Sequence, residues 1–272
     1  MLSAITASLV PEARGGPFVF WDGLEDACAQ AEQLGFDGLE IFPPSSAALA
    51  MPAVGELLAR HGLRAAAVGT GGGWVTRRLT LTHSDANVRR EARDFVRAMI
   101  DAAGQLGAPV IIGSMQGRWE GDVTRDQALG WLGEALVELA AHASRHDVPV
   151  LLEPLNRYET NLCRSLGETA AWLRTLPADN IRLLADLFHL SIEESDLAQA
   201  IHAAGPLLGH VHFADSNRLA VGLGHTNMAP IIAALRATGY TGYLSAEILP
   251  LPDPASAARQ TMQSFRQWVP RS

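Results

Sequence analysis

Short apolar runs alternate with longer stretches of helical period along the whole chain. Ala4–Ala7 reads as a first strand and Asp22–Leu34 as a first helix closed by Gly35. Gly38–Phe42 is the second strand, and a helix over Ser46–His61 follows with Gly62 just past its end, where a left-handed residue is expected. Arg64–Val68 is the third strand. A loop with Gly69, Gly71, Gly72, Gly73 and Trp74 comes next, and Ser84-Asp85 caps a long helix running to Leu106-Gly107. Pro109–Ile112 and Thr124–His146 make the fourth pair, Val148–Glu153 and Ser165–Leu176 the fifth, Ile181–Ala185 and Ile192–Ala204 the sixth. Leu208–Phe213 with Ala229–Thr238, and Tyr243–Ala246 with Pro254–Trp268, complete the series. Unbroken alternation means parallel strands joined by right-handed crossovers, and eight units predict a closed (β/α)8 TIM barrel of the α/β class. No linker, low-complexity segment or charge run divides residues 1–272, so one domain is expected.

Within that pattern the strand ends carry the chemistry. The run Val148–Leu152 delivers Glu153, and Pro154 follows at once, which holds the preceding residue extended and removes a backbone donor. Glu153 therefore reads as the last residue of its strand, ahead of a polar loop with Asn156, Arg157 and Glu159. Strand six ends in Asp186 with His189 three residues on, strand seven carries His210 and His212 on one face, and strand eight ends in Glu247. A barrel brings these C-terminal strand ends to one rim. Three carboxylates brought that close repel one another, and a divalent cation removes the conflict. Oxygen ligands with one imidazole suit Mg²⁺, Mn²⁺ or Co²⁺. Glu153, Asp186, His212 and Glu247 are the expected ligands; His210, two residues deeper, is expected to pack behind them.

Composition narrows the classes. The formal charge of -8 disfavours a nucleic-acid backbone as partner. Cys28 and Cys163 are the only two cysteines, which suggests no disulfide framework. Cys163 has no evident base beside it and is not expected to be a nucleophile. No basic-then-apolar leader and no membrane-length apolar run is apparent, so a cytoplasmic protein without a membrane partner is expected. Gly71-Gly72-Gly73 lacks the Lys-Ser/Thr of a phosphate loop and is read as a mobile barrel loop whose Trp74 closes over a ligand. Arg77 and Arg118 are read as solvated loop arginines ahead of anion ligands.

The segments Glu153-Pro154-Leu155-Asn156-Arg157-Tyr158-Glu159, Asp186-Leu187-Phe188-His189, His210-Val211-His212-Phe213-Ala214-Asp215-Ser216-Asn217-Arg218 and Ser245-Ala246-Glu247 resemble the xylose-isomerase-like barrel superfamily. Within it they are most similar to the sugar isomerase/epimerase branch, the ketose 3-epimerases. The resemblance runs along the whole chain and is most specific from Val148 to Leu249. It implies one Mn²⁺-like ion on Glu153, Asp186, His212 and Glu247, with Glu159, His189 and Arg218 on sugar hydroxyls. It also implies a small-molecule sugar partner and a homo-oligomer, dimer or tetramer. The chain departs from the family after Gly222-Leu223-Gly224, where an acid is common and Asn227 stands here.

A C–H beside a carbonyl is a weak acid, and its removal needs a base and a sink for the enediolate charge. Glu153 and Glu247, which strands five and eight separate around the metal, suit the roles of base and acid in epimerisation at the carbon next to a ketone. The same site would serve aldose–ketose isomerisation or dehydration of a keto-inositol type. A sugar-binding protein without catalysis would be expected to lose Glu153 or Glu247, and both are present. An apurinic endonuclease-like phosphodiesterase would take histidine ligands from strands three and four, where Val68-Gly69-Thr70 and Ile112-Gly113-Ser114 offer none.

Overall fold

A computed structural model describes residues 1–50 and 52–270. Eight parallel strands close a barrel in sequence order, each pairing with the next and β8 with β1. The elements are β1 (Leu2–Ser8), α1 (Leu24–Leu34), β2 (Gly38–Phe42), α2 (Ala53–Arg60), β3 (Arg64–Gly69), α3 (Gly72–Arg77), α4 (Ala86–Gln105), β4 (Val110–Ile112) and α5 (Arg125–Ala143). They continue as β5 (Val150–Leu152), α6 (Leu166–Leu173), β6 (Ile181–Asp186), α7 (Leu187–Glu193), α8 (Leu197–Ala204), β7 (Leu208–His212), α9 (Met228–Ala237), β8 (Tyr243–Ala246) and α10 (Pro254–Trp268). No helix among the described residues is long and apolar enough to cross a membrane.

The caps read in the sequence start and stop the helices. Asp85 accepts from the Asn87 N–H at the start of α4, and Thr124 with Gln127 forms a reciprocal capping box on α5. Gly35 and Gly62 take left-handed φ values of 81° and 65° just past α1 and α2.

Three expectations change. The helix expected over Ser46–His61 is a 3₁₀ turn at Ser46–Leu49 followed by α2, with Pro52 at the junction; Met51, in the same span, lies outside the described residues. The expected sixth helix, Ile192–Ala204, is two. Asp186 caps α7 directly at the end of β6 by accepting from the Phe188 and His189 N–H groups, and Asp196 starts α8 afresh. The glycine loop read as mobile is helix α3. Its glycines are there for contact: a Cβ on Gly72 would stand 2.4 Å from the Pro43 carbonyl, and one on Gly73 would meet Phe95 at 2.9 Å.

Side chains alternate across each strand, and the two faces differ in chemistry. Val68, Val110, Ile112, Val150, Leu152, Leu183 and Val211 face the helices and belong to the main apolar core. Ala67, Ile111, Leu151 and Leu184, from β3 to β6, form a separate small cluster. Two residues further along their strands stand Gly69, Gly113, Glu153 and Asp186, so this cluster is the apolar floor inside the barrel, beneath the polar rim. Leu151 is fully buried in that floor. Leu151→Ala is expected to lower the unfolding free energy by about 2–5 kcal/mol. Urea unfolding measures this, and an unchanged midpoint would show that the floor is not a packed layer.

Candidate active site and metal centre

β5 ends at Leu152, so Glu153 stands one residue past the strand expected to contain it. Its backbone stays in the barrel: the Glu153 N–H donates to the Ile112 carbonyl at 3.0 Å, and the Gln116 side-chain amide donates to the Glu153 carbonyl at 2.9 Å. The side chain turns inward into space left by Gly113, the residue just past β4. A Cβ on Gly113 would lie 2.4 Å from Glu153 Oε2. Asp186 and His212 close β6 and β7 side by side, paired in register, and Glu247 follows β8.

These four residues converge on one point. His212 Nδ1 lies 3.3 Å from Asp186 Oδ2, 3.4 Å from Glu153 Oε1 and 3.6 Å from Glu247 Oε2. One donor atom from each lies within 4.8 Å of the others. Glu153, Asp186 and His212 are buried, and Glu153 Oε1 has no hydrogen-bond partner among the described residues. An unpartnered buried carboxylate oxygen facing two further acids and an imidazole fits a divalent cation.

The sequence reading missed Glu40. On β2 it is almost wholly buried, and its carboxylate spans both strand-seven histidines: Oε2 lies 2.8 Å from His210 Nε2 and Oε1 lies 3.1 Å from His212 Nε2. With Nε2–H of His212 donating to Glu40, Nδ1 is left to face the acids with its lone pair. The available signal was a single charged residue at an inward position of the otherwise apolar run Gly38–Phe42. His210 meets Glu40, not the four converging donors.

Electrostatics follow from burial and crowding. Burial pushes the Glu247 carboxyl up to about 8, and Glu153 and Asp186 add to the rise against His212 and Arg218. Burial opposes charge on His212, but Glu40 and Glu247 outweigh it and hold the imidazole well above its ordinary value. Burial likewise opposes charge on Asp186, but His189 and His212 hold it below the carboxylate range. Without a cation, protons on Glu247 and His212 relieve the repulsion. Burial pushes the Cys163 thiol up to about 12, which leaves it inert as a nucleophile.

The residues expected at the substrate surround the four. His189, expected in a loop, lies on α7 and is buried. Its Nδ1 accepts from the Asn156 N–H at 3.3 Å and sits 2.8 Å from Asn156 Nδ2, which leaves Nε2 as the donor. That Nε2 has no hydrogen-bond partner among the described residues and looks into the site, 3.7 Å from Asp186 Oδ2. Arg218 Nη2 lies 2.9 Å from Glu247 Oε2, its Nη1 3.4 Å from Glu159 Oε1, and its guanidinium 4.7 Å from the Phe188 ring centroid. Its backbone is left-handed at φ 62°, held by its N–H to the Asp215 carbonyl and by the Leu249 N–H to its own carbonyl. The Asp215 carboxylate shapes that loop by accepting from the Ser216, Gly222 and Thr226 N–H groups. Asn227 stands at the start of α9 without a side-chain cap bond.

A cavity of about 290 Å³ opens above the acids, lined by Glu40, Glu153, Glu247, Glu159, Arg218 and Trp74 among others. Trp74 reaches it from α3, with the Arg78 guanidinium 4.9 Å from its ring. Two arginines point elsewhere: Arg77 pairs with Glu91, and Arg157 pairs with Glu193 at 2.8 Å.

Barrel and rim together define a TIM-barrel enzyme with a candidate metal centre. Residues 28–268 match the xylose isomerase-like TIM barrel family, and the chain belongs to it. It is 28% identical over 243 residues to the L-ribulose 3-epimerase of Methylomonas sp. (strain DH-1), covering 86% of this chain and 83% of that protein. It is 31% identical over 219 residues to the D-psicose 3-epimerase of Ruminiclostridium cellulolyticum, covering 77% and 73%. The structure of D-allulose 3-epimerase from Methylomonas sp. superposes with a TM-score of 0.82 at 24% identity over 98% of each chain, a likeness of fold. The curated relatives make the chain an enzyme of the isomerase class, of the epimerase kind.

Cation binding at this cluster depends on pH. Glu247 is raised from the ordinary carboxylate range to about 8, so in the cation-free protein it is protonated below that pH. A cation needs the carboxylate. Mn²⁺ binding is therefore expected to release protons at pH 7 and to tighten as pH rises from about 6 to 8. Calorimetry in buffers of different ionisation enthalpy measures both; affinity flat across that range would contradict the raised value. Glu40→Gln keeps the shape but weakens the hold on the His212 Nε2–H, and is expected to lower Mn²⁺ affinity about 10–100-fold with the fold intact.

Proposed function

We propose that the enzyme epimerises a ketose, or a keto sugar acid, at the carbon next to the ketone, with one divalent ion held by Glu153, Asp186, His212 and Glu247. The convergence of three carboxylates on His212 Nδ1 carries this reading. Mn²⁺ is the ion we assign, with Mg²⁺ and Co²⁺ as substitutes, because oxygen donors with one imidazole suit these cations. Such an ion would supply a Lewis acid that makes the C–H beside the ketone easier to deprotonate.

The remaining work belongs to the chain. Glu153 and Glu247 come from strand ends three places apart in an eight-stranded barrel, so they face the substrate carbon from two sides. One carboxylate takes the proton from one face of the carbon. The other, protonated, returns a proton to the opposite face. His189 offers its Nε2–H to a substrate oxygen, with Asn156 fixing the tautomer from behind. Arg218 donates to sugar hydroxyls while holding Glu247 and Glu159 in place. Trp74 shields the cavity from bulk water.

Chelation should abolish activity, and Mn²⁺ or Co²⁺ should restore it; full activity in a verified metal-free sample would sink the metal assignment. Glu153→Gln and Glu247→Gln should each lose at least ~10²–10⁴-fold, the range of general acid–base groups. The diagnostic measurement is solvent-deuterium exchange run from each epimer. Each variant should retain exchange into only one epimer. Equal exchange into both epimers, in both variants, would indicate a single shared base and favour aldose–ketose isomerisation. His189→Ala and Arg218→Ala should raise KM while elemental analysis still finds one metal per chain.

A further inference from the structure

The catalytic cavity does not end at the sugar site. A second cavity of about 340 Å³ adjoins it and shares Trp74, Ser114 and Glu159 with it. It is built by the segments after β3, β4 and β5, and nothing in the metal chemistry uses it. The first cavity, at about 290 Å³, already offers room for one monosaccharide beside Glu153 and Glu247. We propose that the second cavity is a subsite for a neutral, hydroxylated substituent on the keto sugar, so that the substrate is a glycosylated ketose in preference to a free one. This rests on the reading that the Glu153–Glu247 rim epimerises a keto sugar.

The lining sets the chemical class. Thr80, Ser84 and Ser114 present hydroxyls, which serve as donor or acceptor and match a polyol; the Thr82 hydroxyl donates to the Gln116 carbonyl and offers only a lone pair. Trp74 and Tyr158 line the space with aromatic rings, against which the C–H face of a sugar ring packs, and Tyr158 is exposed on the loop after β5 and so open to a ligand. A phosphate or carboxylate fits poorly. Glu120 and Glu159 line the same space and would repel an anion. Arg118 is the one arginine in the lining, and it stands 3.9 Å from Glu120. Arg77 and Arg78, the other guanidiniums nearby, are held by Glu91 and by the Trp74 ring.

The test compares kcat/KM for epimer formation from fructose and from its 1-O- and 6-O-glucosyl derivatives, and from 3-ketoglucose and its 1-O-glucosyl derivative. At least one glucosylated compound is expected to exceed its free counterpart by about tenfold or more, the discrimination one pocket supplies. Val123→Trp, at a half-buried loop position lining only the second cavity, should erase that advantage and leave the free sugar within about twofold. Arg118→Ala, a milder change on the same wall, should reduce the advantage in the same direction. Exchange on free sugars with no preference for any glucosylated one overturns the subsite and leaves the epimerase reading standing. Equal losses on both substrates in Val123→Trp overturn it too, because the cavity would then belong to the sugar site. No exchange on any compound would remove the epimerase reading itself and the subsite with it.

Discussion

Charge crowding at the C-terminal rim is the constraint on which this structure turns. Glu153, Asp186 and Glu247 point at one imidazole nitrogen from three strands, in surroundings too buried for water to screen them. Such an arrangement is costly unless a positive charge sits in it. The protein supplies part of that charge with Arg218 beside Glu247 and with protons on His212 and Glu247. The fit to a divalent cation is a fit to the remaining deficit.

The barrel holds this arrangement by layering its interior. At the bottom, Ala67, Ile111, Leu151 and Leu184 make a dry apolar floor. Above it, Glu40 ties His210 and His212 together and orients the His212 ring. The acids follow at the rim, and the donors His189 and Arg218 flank them. Each layer fixes the next, because a tilt of the His212 ring would move the one nitrogen on which all three acids converge. Gly113 does the same by absence, since any side chain there would occupy the space of the Glu153 carboxylate.

The amino-terminal half contributes shape more than charge. Gly72 and Gly73 let α3 pack against Pro43, Phe95 and Met115, and α3 carries Trp74 to the boundary between two cavities. The acidic and basic groups of the rim come from β5 onward, apart from Glu40.

The barrel and most of its rim are written into local sequence. Strand–helix alternation is local, and caps such as Asp85 and Thr124 are read within four residues, so the eight units were legible. Glu153, Asp186, His212 and Glu247 were legible because each stands at or near the C-terminal end of a strand, and a barrel has one rim to which such ends go. Tertiary structure decided what depends on distant partners. Glu40 acquires its role from histidines 170 and 172 residues away. His189 lies on a helix because Asp186 turns its carboxylate onto two backbone N–H groups, which ends the strand and starts α7 without a loop. The glycines 71–73 looked like freedom in the sequence and are close packing in the fold, because a missing side chain shows its reason only when the neighbour that fills its place is present.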